Sequence, residues 1–234
     1  MRWVMLDTET TGLRVEEGHR LIEIGCVECI DRRITDRHFH VYLNPQREVD
    51  EGARQVHGMS WDQLRDKPLF ADVVDDLLAF VHGAEVVIHN ADFDRGFLDE
   101  ELRRAGLQPF VSYCSRIVDS LGQARDLHPG QRNSLDALCQ RYAIPNDHRV
   151  LHGALLDARL LADVYLAMTR GQESLAMPSD EDLSAADLLN PIDVTRLIVR
   201  RANPEEMQAH EAVLQEIDKV SGGRAVWLRS AADA

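Results

Sequence analysis

Long hydrophobic runs are missing from this sequence of 234 residues. The apolar stretch that follows Met1 ends at Leu6 and is too short for the core of a signal peptide. Nowhere does the chain approach the roughly 20 consecutive apolar residues that a membrane-spanning helix needs. We therefore expect a cytoplasmic protein with neither a secretory leader nor a membrane partner.

Cysteine is also sparse, with four residues at positions 26, 29, 114 and 139. Cys26 and Cys29 have the C-x-x-C spacing of zinc and redox sites, but no second pair at zinc-finger spacing accompanies them. They fall in a predicted strand over 21–30, where an offset of three places two side chains on opposite faces. The pattern favours two buried thiols over a zinc or redox site.

Positive charge is scarce as well: 26 Lys and Arg oppose 40 Asp and Glu, giving a net charge of −14. Binding to nucleic acid without sequence preference normally depends on Lys and Arg that neutralise phosphates. Two interpretations remain open at this point. Either nucleic acid is not the ligand, or metal ions and a partner protein supply the missing positive charge.

The composition, 44% hydrophobic and 28% charged, is that of a globular protein with one sizeable domain and an appendage. Early strands followed by alternating helix and strand predict an α/β domain whose sheet is mixed and covered by helices. Hydrophobic spacing predicts strands over 3–7, 21–30, 34–43 and 86–88, and helices over 73–81, 93–102, 135–142 and 154–169.

After Gly171 the character of the sequence changes. Residues 178–187 are acidic and polar, which is typical of a flexible linker. Residues 192–199 and 205–220 have helical patterning, and residues 226–228 form a short apolar end. The appendage is therefore expected to be small and partly helical.

Asp7 and Glu9 stand two residues apart at the end of the first predicted strand. Strand geometry places both carboxylates on one face, with Cα atoms about 6.5 Å apart. Two converging carboxylates repel each other unless a cation lies between them, and oxygen ligands suit Mg²⁺ or Mn²⁺. The same pair also occurs on ordinary protein surfaces, so the pattern alone leaves the question open.

Two further acidic segments follow later in the chain. Asp92 and Asp94 come directly after the strand over 86–88, where acidic residues also cap helices; this structural role is favoured for Asp92. His152 lies in the loop before the last helix of the domain, and Asp157 lies early in that helix. Each segment taken alone is compatible with a purely structural role.

Together, in this order, the segments resemble the DEDD exonuclease superfamily in its histidine variety, and within it the proofreading epsilon subunits of bacterial DNA polymerase III. The resemblance spans essentially all of 1–170, with motifs at 7–12, 56–58, 89–97 and 152–158. It implies a ribonuclease H-like α/β fold with a mixed five-stranded sheet flanked by helices, and a small C-terminal partner-binding tail. It also implies hydrolysis of DNA from its 3′ end.

Residue by residue, the family's metal-binding carboxylates fall on Asp7, Glu9, Asp94 and Asp157, and its catalytic histidine falls on His152. The resemblance therefore implies two divalent cations, Mg²⁺ or Mn²⁺, that stabilise the attacking and leaving oxygens of an in-line displacement. His152 would act as the general base toward the attacking water.

Substrate contacts are implied at Thr10 and at His57, which matches a family position that lines the pocket for the terminal nucleotide. A loop histidine without function is the alternative for His57. The family often has a glutamate five residues before this histidine. Here that position is Gly52, with Glu51 beside it, so this contact is in doubt.

The tail resembles the partner-binding region of the same subunits. Gln172, Leu175 and Met177 resemble a sliding-clamp peptide within a flexible linker at 171–190. Residues 191–234 resemble the segment that docks on the alpha subunit of DNA polymerase III. Tethering to a polymerase would also compensate for the chain's own negative charge, because it raises the local concentration of the DNA 3′ end.

Three alternatives remain. An RNA-trimming exonuclease of the same superfamily would share the motifs, although the tail favours DNA replication. A non-catalytic subunit that only bridges polymerase and clamp would not need the complete set of carboxylates and histidine. An acidic α/β binding domain without chemistry would not need the motifs at all.

Overall fold

The computed structural model describes residues 1–146, 151–170 and 202–223. The chain divides into two units, Met1–Leu175 and Ala176–Ala234. Across the described ranges, no helix combines the length and the apolar character needed to cross a membrane.

A mixed five-stranded sheet with the order β3-β2-β1-β4-β5 forms the centre of the first unit. β1 pairs with β2 antiparallel and with β4 parallel, β2 pairs with β3 antiparallel, and β4 pairs with β5 parallel. This confirms the predicted sheet. The strands are β1 Arg2–Thr10, β2 Leu21–Ile30, β3 Arg33–Tyr42, β4 Glu85–Ile88 and β5 Arg116–Asp119.

Hydrophobic spacing located four of these strands but not β5, which is only four residues long. It also ended the first strand too early. β1 continues through Thr10, so Asp7 and Glu9 lie within the strand and not at its end. The reason is tertiary, because β1 is the central strand and hydrogen bonds to β2 along its whole length.

Helices of the first unit cover the sheet on both faces. Among the α-helices that the structure describes in either unit, those over 70–81, 91–104, 135–141, 154–168 and 204–220 were predicted; the two short helices before residue 65 and the helix over 120–127 were not. The helices are α1 Glu51–His57, α2 Trp61–Leu64, α3 Phe70–Val81, α4 Ala91–Arg104, α5 Ser120–Leu127, α6 Leu135–Arg141, α7 Ala154–Met168 and α8 Pro204–Val220.

Alternate residues of β1 face opposite helical layers. Val4 and Leu6 belong to a core formed with α3 and α4, whereas Trp3 and Met5 belong to a core formed with α6 and α7. This alternation follows directly from the period of two in a strand. Since both faces of β1 are buried, the residues at its end are held between two rigid helical layers.

The two cysteines of the C-x-x-C pair lie in different cores, as the strand offset predicted. Cys26 packs in the core with α3 and α4, and Cys29 packs in the core with α6 and α7. Both are free thiols, and burial raises the pKa of each. The prediction of two buried thiols is confirmed.

Gly25 lets the start of α7 approach the sheet closely. It pairs with Asp7 across β1 and β2. A Cβ atom at Gly25 would lie 2.3 Å from the carbonyl carbon of Ala154 and 2.3 Å from the backbone nitrogen of Leu155. Because both atoms are backbone, the first turn of α7 would have to move to accommodate any side chain.

Replacing Gly25 with alanine is therefore expected to destabilise the protein by about 1–3 kcal/mol, as overpacking in a core does. We also expect the nuclease activity that the resemblance implies to fall about 10-fold or more, since small displacements of reacting groups are costly. Urea unfolding and hydrolysis of an oligonucleotide measure the two effects.

Gly96→Ala is the matched control for this change. Gly96 lies in α4 with nothing within 4 Å of the position where its Cβ would be, so alanine there should be neutral or slightly stabilising. A Gly25→Ala protein as stable and active as the Gly96→Ala protein would show that the close approach of α7 is unimportant.

The described part of the second unit is α8. Asn203 caps it: the Asn203 side chain accepts a hydrogen bond from the backbone N–H of Glu206 (2.9 Å), and the Glu206 carboxylate accepts one from the backbone N–H of Asn203 (2.8 Å). Pro204 occupies the first turn, where its missing N–H is not needed. The predicted helix over 205–220 is confirmed.

Candidate active site

β1 carries Asp7 and Glu9 on the face that α7 covers. Asp7 pairs with Gly25 and Glu9 with Glu23 on β2, and the register shifts immediately afterwards, between Glu9 and Thr10. Asp7 is half-buried, whereas Glu9 is buried. The strand therefore presents two carboxylates side by side at the point where its regular pairing ends.

α7 brings the second group of side chains to this face. The helix begins at Ala154, and Asp157 lies in its first turn with only 3% of its surface exposed. His152 lies in the preceding loop, and its Nδ1 is 3.3 Å from Oδ2 of Asp157. The imidazole is 43% exposed, so one side of the ring is open to solvent and to a ligand.

The Val56–Gly58 segment holds the loop that carries His152. The backbone N–H of His152 donates to the carbonyl of Val56 (3.1 Å). Gly58 has a positive φ of 76°, and a Cβ there would lie 2.6 Å from Cδ1 of Leu151. The second sequence motif thus positions the general-base candidate through its backbone, a role that sequence reasoning did not predict.

α4 supplies Asp94, which lies in its first turn and is 4% exposed. The hydroxyl of Thr8 donates a hydrogen bond to Oδ1 of Asp94 (2.7 Å). Burial raises the pKa of Asp94 to about 7, and the hydrogen bond from Thr8 only partly opposes this. Thr8 is a supporting residue that the sequence motifs did not single out.

The raised pKa of Asp94 predicts a pH-dependent cost to stability when no cation is bound. Below pH 3.8, the ordinary pKa of the group, this carboxyl is protonated in both the folded and the unfolded protein, and the full stability is present. As the pH rises from there through about 7, the unfolded protein loses the proton first, and this stability is lost. In chelator, Asp94→Asn should raise the free energy of unfolding by roughly 4 kcal/mol at pH 8 and by less than half of that at pH 5.

Urea unfolding at the two pH values measures this effect. Asp92→Asn is the control on the same helix, because the Asp92 side chain is 89% exposed and pairs with Arg95 at 2.9 Å on the surface. Equal stabilities of the Asp94→Asn and wild-type proteins at pH 8 would contradict the prediction. Asp92 lies in the first turn of α4 and does not line the cleft.

All five predicted catalytic and metal-binding residues line one cleft of about 550 Å³. They reach it from β1, α4, α7 and the loop before α7. The described residues that line it are Asp7, Thr8, Glu9, His89, Asn90, Phe93, Asp94, Leu121, Arg125, Gln131, Asn133, Ser134, Leu135, Asp136, His152 and Asp157.

The donor atoms in this cleft fit a hard divalent cation. Glu9, His152 and Asp157 each offer one ligand atom, and these atoms lie within 4.8 Å of one another. Asp7 and Asp94 line the same cleft outside this tight group. Carboxylates gathered and buried in this way need nearby positive charge, and oxygen-rich sites prefer Mg²⁺ or Mn²⁺.

Thr10 and His57, the predicted substrate contacts, are both buried, and neither lines the cleft. The Nδ1 of His57 accepts a hydrogen bond from the backbone N–H of Met59 (3.1 Å). Its Nε2 is buried without a well-formed hydrogen bond among the described residues, although the backbone of Thr10 is near enough to raise the ring's pKa. Burial nevertheless lowers the pKa of His57 overall.

His89 fixes one wall of the cleft, formed by the end of β4, α5 and the loop before α6. Its Nδ1 lies 2.9 Å from Oγ of Ser120, at the start of α5, and its Nε2 lies 3.0 Å from the carbonyl oxygen of Asn133. Burial lowers the pKa of the His89 ring. The histidine therefore joins β4, α5 and the loop before α6, which is a supporting role.

Known proteins show which family this chain belongs to. Residues 4–165 match the family described as Exonuclease (RNase_T). The DNA polymerase III subunit epsilon of Salmonella typhimurium strain LT2 is 48% identical over 237 residues, covering 97% of both chains. The subunit of the same name from Rickettsia prowazekii strain Madrid E is 41% identical over 224 residues, covering 93% of this chain and 97% of the relative.

The fold also resembles a solved structure of exonuclease X in complex with 5′ overhanging duplex DNA. The TM-score is 0.58 and the identity 26%, over 73% of this chain and 92% of that chain. Family match, relatives and fold agree. The chain is therefore a member of the Exonuclease (RNase_T) family, and within it of the group formed by the DNA polymerase III epsilon subunits.

Proposed function

We propose that this protein is the 3′→5′ exonuclease proofreading subunit of a bacterial replicative DNA polymerase III. One observation carries the proposal: Asp7, Glu9, Asp94, Asp157 and His152, distant in sequence, all line the same cleft. The resemblance described above implies that these positions are the metal ligands and the general base. The nuclease domain would comprise residues 1–170.

The four carboxylates would hold two divalent cations, Mg²⁺ or Mn²⁺. When bound, such ions stabilise the negative charge on the attacking and leaving oxygens of a phosphodiester. His152 would accept the proton of the attacking water. Its Nδ1 faces the buried Asp157 at 3.3 Å, which orients the ring and leaves Nε2 to act as the base.

The proposed step is a balanced hydrolysis. The water oxygen forms a bond to the phosphorus of the terminal nucleotide, and the bond from that phosphorus to the preceding 3′ oxygen breaks. The products are a nucleoside 5′-monophosphate and a strand shortened by one residue with a free 3′ hydroxyl. The proton held by His152 ends in solvent or on the departing oxygen.

Thr10 and His57 are proposed to contact the terminal nucleotide. Because Nδ1 of His57 accepts a hydrogen bond, its neutral ring carries the proton on Nε2. That N–H is the buried polar group without a well-formed partner among the described residues. Buried donors of this kind are rare in folded proteins, and an incoming sugar or base oxygen would satisfy it.

The C-terminal region is proposed to bind the alpha subunit of the polymerase. Along α8, large apolar side chains are exposed at Met207, Val213, Ile217 and Val220. An apolar stripe on a helix outside the main core is typical of a surface that a partner covers. The proposed docking segment is 191–234, of which 202–223 are described.

The sliding clamp is proposed as a further partner through Gln172, Leu175 and Met177. These residues, the linker over 178–187 and the predicted elements over 192–199 and 226–228 lie outside the described residues. The clamp contact therefore depends on the resemblance of the peptide and remains a prediction.

Digestion of a 3′-mismatched DNA primer tests the proposed activity. We expect stepwise release of nucleoside 5′-monophosphates with Mg²⁺ or Mn²⁺ and none with chelator. A matched RNA strand should be degraded more slowly. Faster loss of the RNA would favour an RNA-trimming enzyme, and no hydrolysis with either metal would favour a non-catalytic bridging subunit.

Removing residues 171–234 tests the proposed docking. The shortened chain should retain hydrolysis of short oligonucleotides, because the described residues that line the cleft all lie before position 171. It should no longer co-purify with the polymerase subunit that the full chain retains. Retention of the polymerase by the shortened chain would place the docking surface in 1–170 instead.

A further inference from the structure

Among the described residues that line the cleft, Arg125 is the only lysine or arginine. The other charged residues there are acidic: Asp7, Glu9, Asp94, Asp136 and Asp157. In a chain with a net charge of −14, a lone guanidinium facing an acidic cleft needs an explanation. Ordinary ion pairing does not supply one, because within the described residues Arg125 makes no hydrogen bond or salt bridge.

The position of Arg125 is set by rigid elements. It lies in α5, whose start is capped by Asp119: the Asp119 carboxylate accepts hydrogen bonds from the backbone N–H groups of Leu121 and Gly122, both at 3.1 Å. Arg125 is near enough to the His89 ring to lower that ring's pKa, after the larger effect of burial. Arg125 therefore lies close to His89, on the wall of the cleft that the hydrogen bonds of His89 stabilise.

Most of the cleft residues that follow Arg125 in the chain, as far as Asp136 in α6, are neutral. Gln131, Asn133 and Ser134 carry no charge, and Asp136 is the acidic residue among them. The Asn133 amide is itself held by the carbonyls of His128 and Gln131 at 3.2 Å, so the loop is ordered from within. The carboxylates proposed to hold cations lie on β1, α4 and α7 instead.

We propose that Arg125 binds the internucleotide phosphate immediately upstream of the scissile one. This rests on the proposed function. The scissile phosphate must lie at the carboxylates, where divalent cations supply the positive charge. Among the described residues of the cleft, Arg125 is the only lysine or arginine that the next phosphate of the strand could meet. A guanidinium suits it, because its planar N–H groups match two phosphate oxygens.

Comparing two substrates tests the assignment in the full-length protein. The 4-nitrophenyl ester of thymidine 5′-phosphate has a scissile phosphodiester and no upstream phosphate, whereas oligothymidylate has both. For Arg125→Gln we expect kcat/KM to fall about 10-fold on oligothymidylate, as for one lost charge-assisted hydrogen bond. On the nitrophenyl ester the fall should be below about twofold.

A neutral methylphosphonate at the upstream linkage tests the same contact from the side of the DNA. It should lower kcat/KM of the wild type about 10-fold and cause little further loss in Arg125→Gln. With chelator present, fluorescence anisotropy should show weaker oligothymidylate binding by the variant. The slope of log K against log salt should be reduced by about one.

Arg33→Gln is the control for loss of one positive charge. Arg33 is exposed at the start of the edge strand β3, paired with Ile30 at the end of the sheet away from Asp7 and Glu9. This variant should behave as the wild type on both substrates, and Arg125→Lys should keep part of the lost activity.

Two results would overturn the assignment. An equal loss on both substrates would place Arg125 at the scissile phosphate, and no loss on oligothymidylate would exclude a phosphate contact. Failure of the proposed function itself is distinguishable, because the wild-type protein would then leave both substrates intact with either metal.

Discussion

Replacing Asp157 with asparagine is expected to reduce hydrolysis of a DNA 3′ end roughly 1,000-fold, the upper range for losing one charge-stabilising group. Asp157 is almost completely buried, its carboxylate lies 3.3 Å from His152, and it shares one group of donor atoms with Glu9. The substitution therefore removes a proposed cation ligand and the partner that orients the proposed base. Single-turnover hydrolysis of an oligonucleotide measures the loss.

The fold should survive this change. Asparagine has nearly the same shape, and losing one of several gathered carboxylates relieves repulsion. In chelator the melting temperature should stay the same or rise. The rise that Mn²⁺ causes in the wild type should shrink, since a ligand that binds only the folded state stabilises it in proportion to its affinity.

Asp163→Asn is the matched control, because Asp163 lies in the same helix, is exposed and does not line the cleft. It should leave hydrolysis and the Mn²⁺ response unchanged. An Asp157→Asn protein with near-normal activity would remove Asp157 from the proposed metal site, and an unfolded one would require the same test on Asp7→Ala.

Much of the site could be predicted from local patterns. A period of two places Asp7 and Glu9 on one face of a strand, and the helical spacing after position 154 places Asp157 in a first turn. Neither pattern shows that the two faces meet. That step came from the family resemblance, because contacts between distant segments leave no mark in local periodicity.

What could not be predicted depends on tertiary contacts of single atoms. Thr8 points to the opposite face from Asp7 and Glu9, toward α4, and its hydroxyl donates a hydrogen bond to Asp94 there. Nothing in the sequence around Gly25 indicates that a glycine is required there. The requirement follows from the close approach of α7, whose backbone leaves no space for a Cβ atom at position 25. The strand over 116–119 is too short to have a recognisable period.

The negative charge of the chain bears directly on how this cleft could bind DNA. The carboxylates of Asp7, Glu9, Asp94 and Asp157 would repel a phosphodiester unless divalent cations reversed the local charge. Arg125 cannot offset them alone. Affinity for DNA should therefore depend strongly on bound metal and on tethering to a partner. A subunit held beside a polymerase needs little intrinsic affinity for DNA.

Replacing His152 with glutamine is expected to lower kcat about 1,000-fold with little change in KM, within the range for a lost general base. The glutamine amide can still donate a hydrogen bond to Asp157, but it does not take up a proton from water at the working pH. Because His152 lies in a loop and is 43% exposed, the folded structure should be unaffected.

Three roles for His152 give different results in this variant, since its ring atoms also lie with the donor atoms of Glu9 and Asp157. A general base predicts lost turnover with an unchanged Mn²⁺-induced rise in melting temperature, and partial rescue of His152→Ala by added imidazole. A metal ligand predicts that the Mn²⁺ response falls together with turnover. A residue that only orients Asp157 predicts an active glutamine variant. Only the first of these three patterns supports proton transfer by His152.

His38→Gln is the control variant, because His38 is an exposed histidine of β3. It should match the wild type in every one of these measurements.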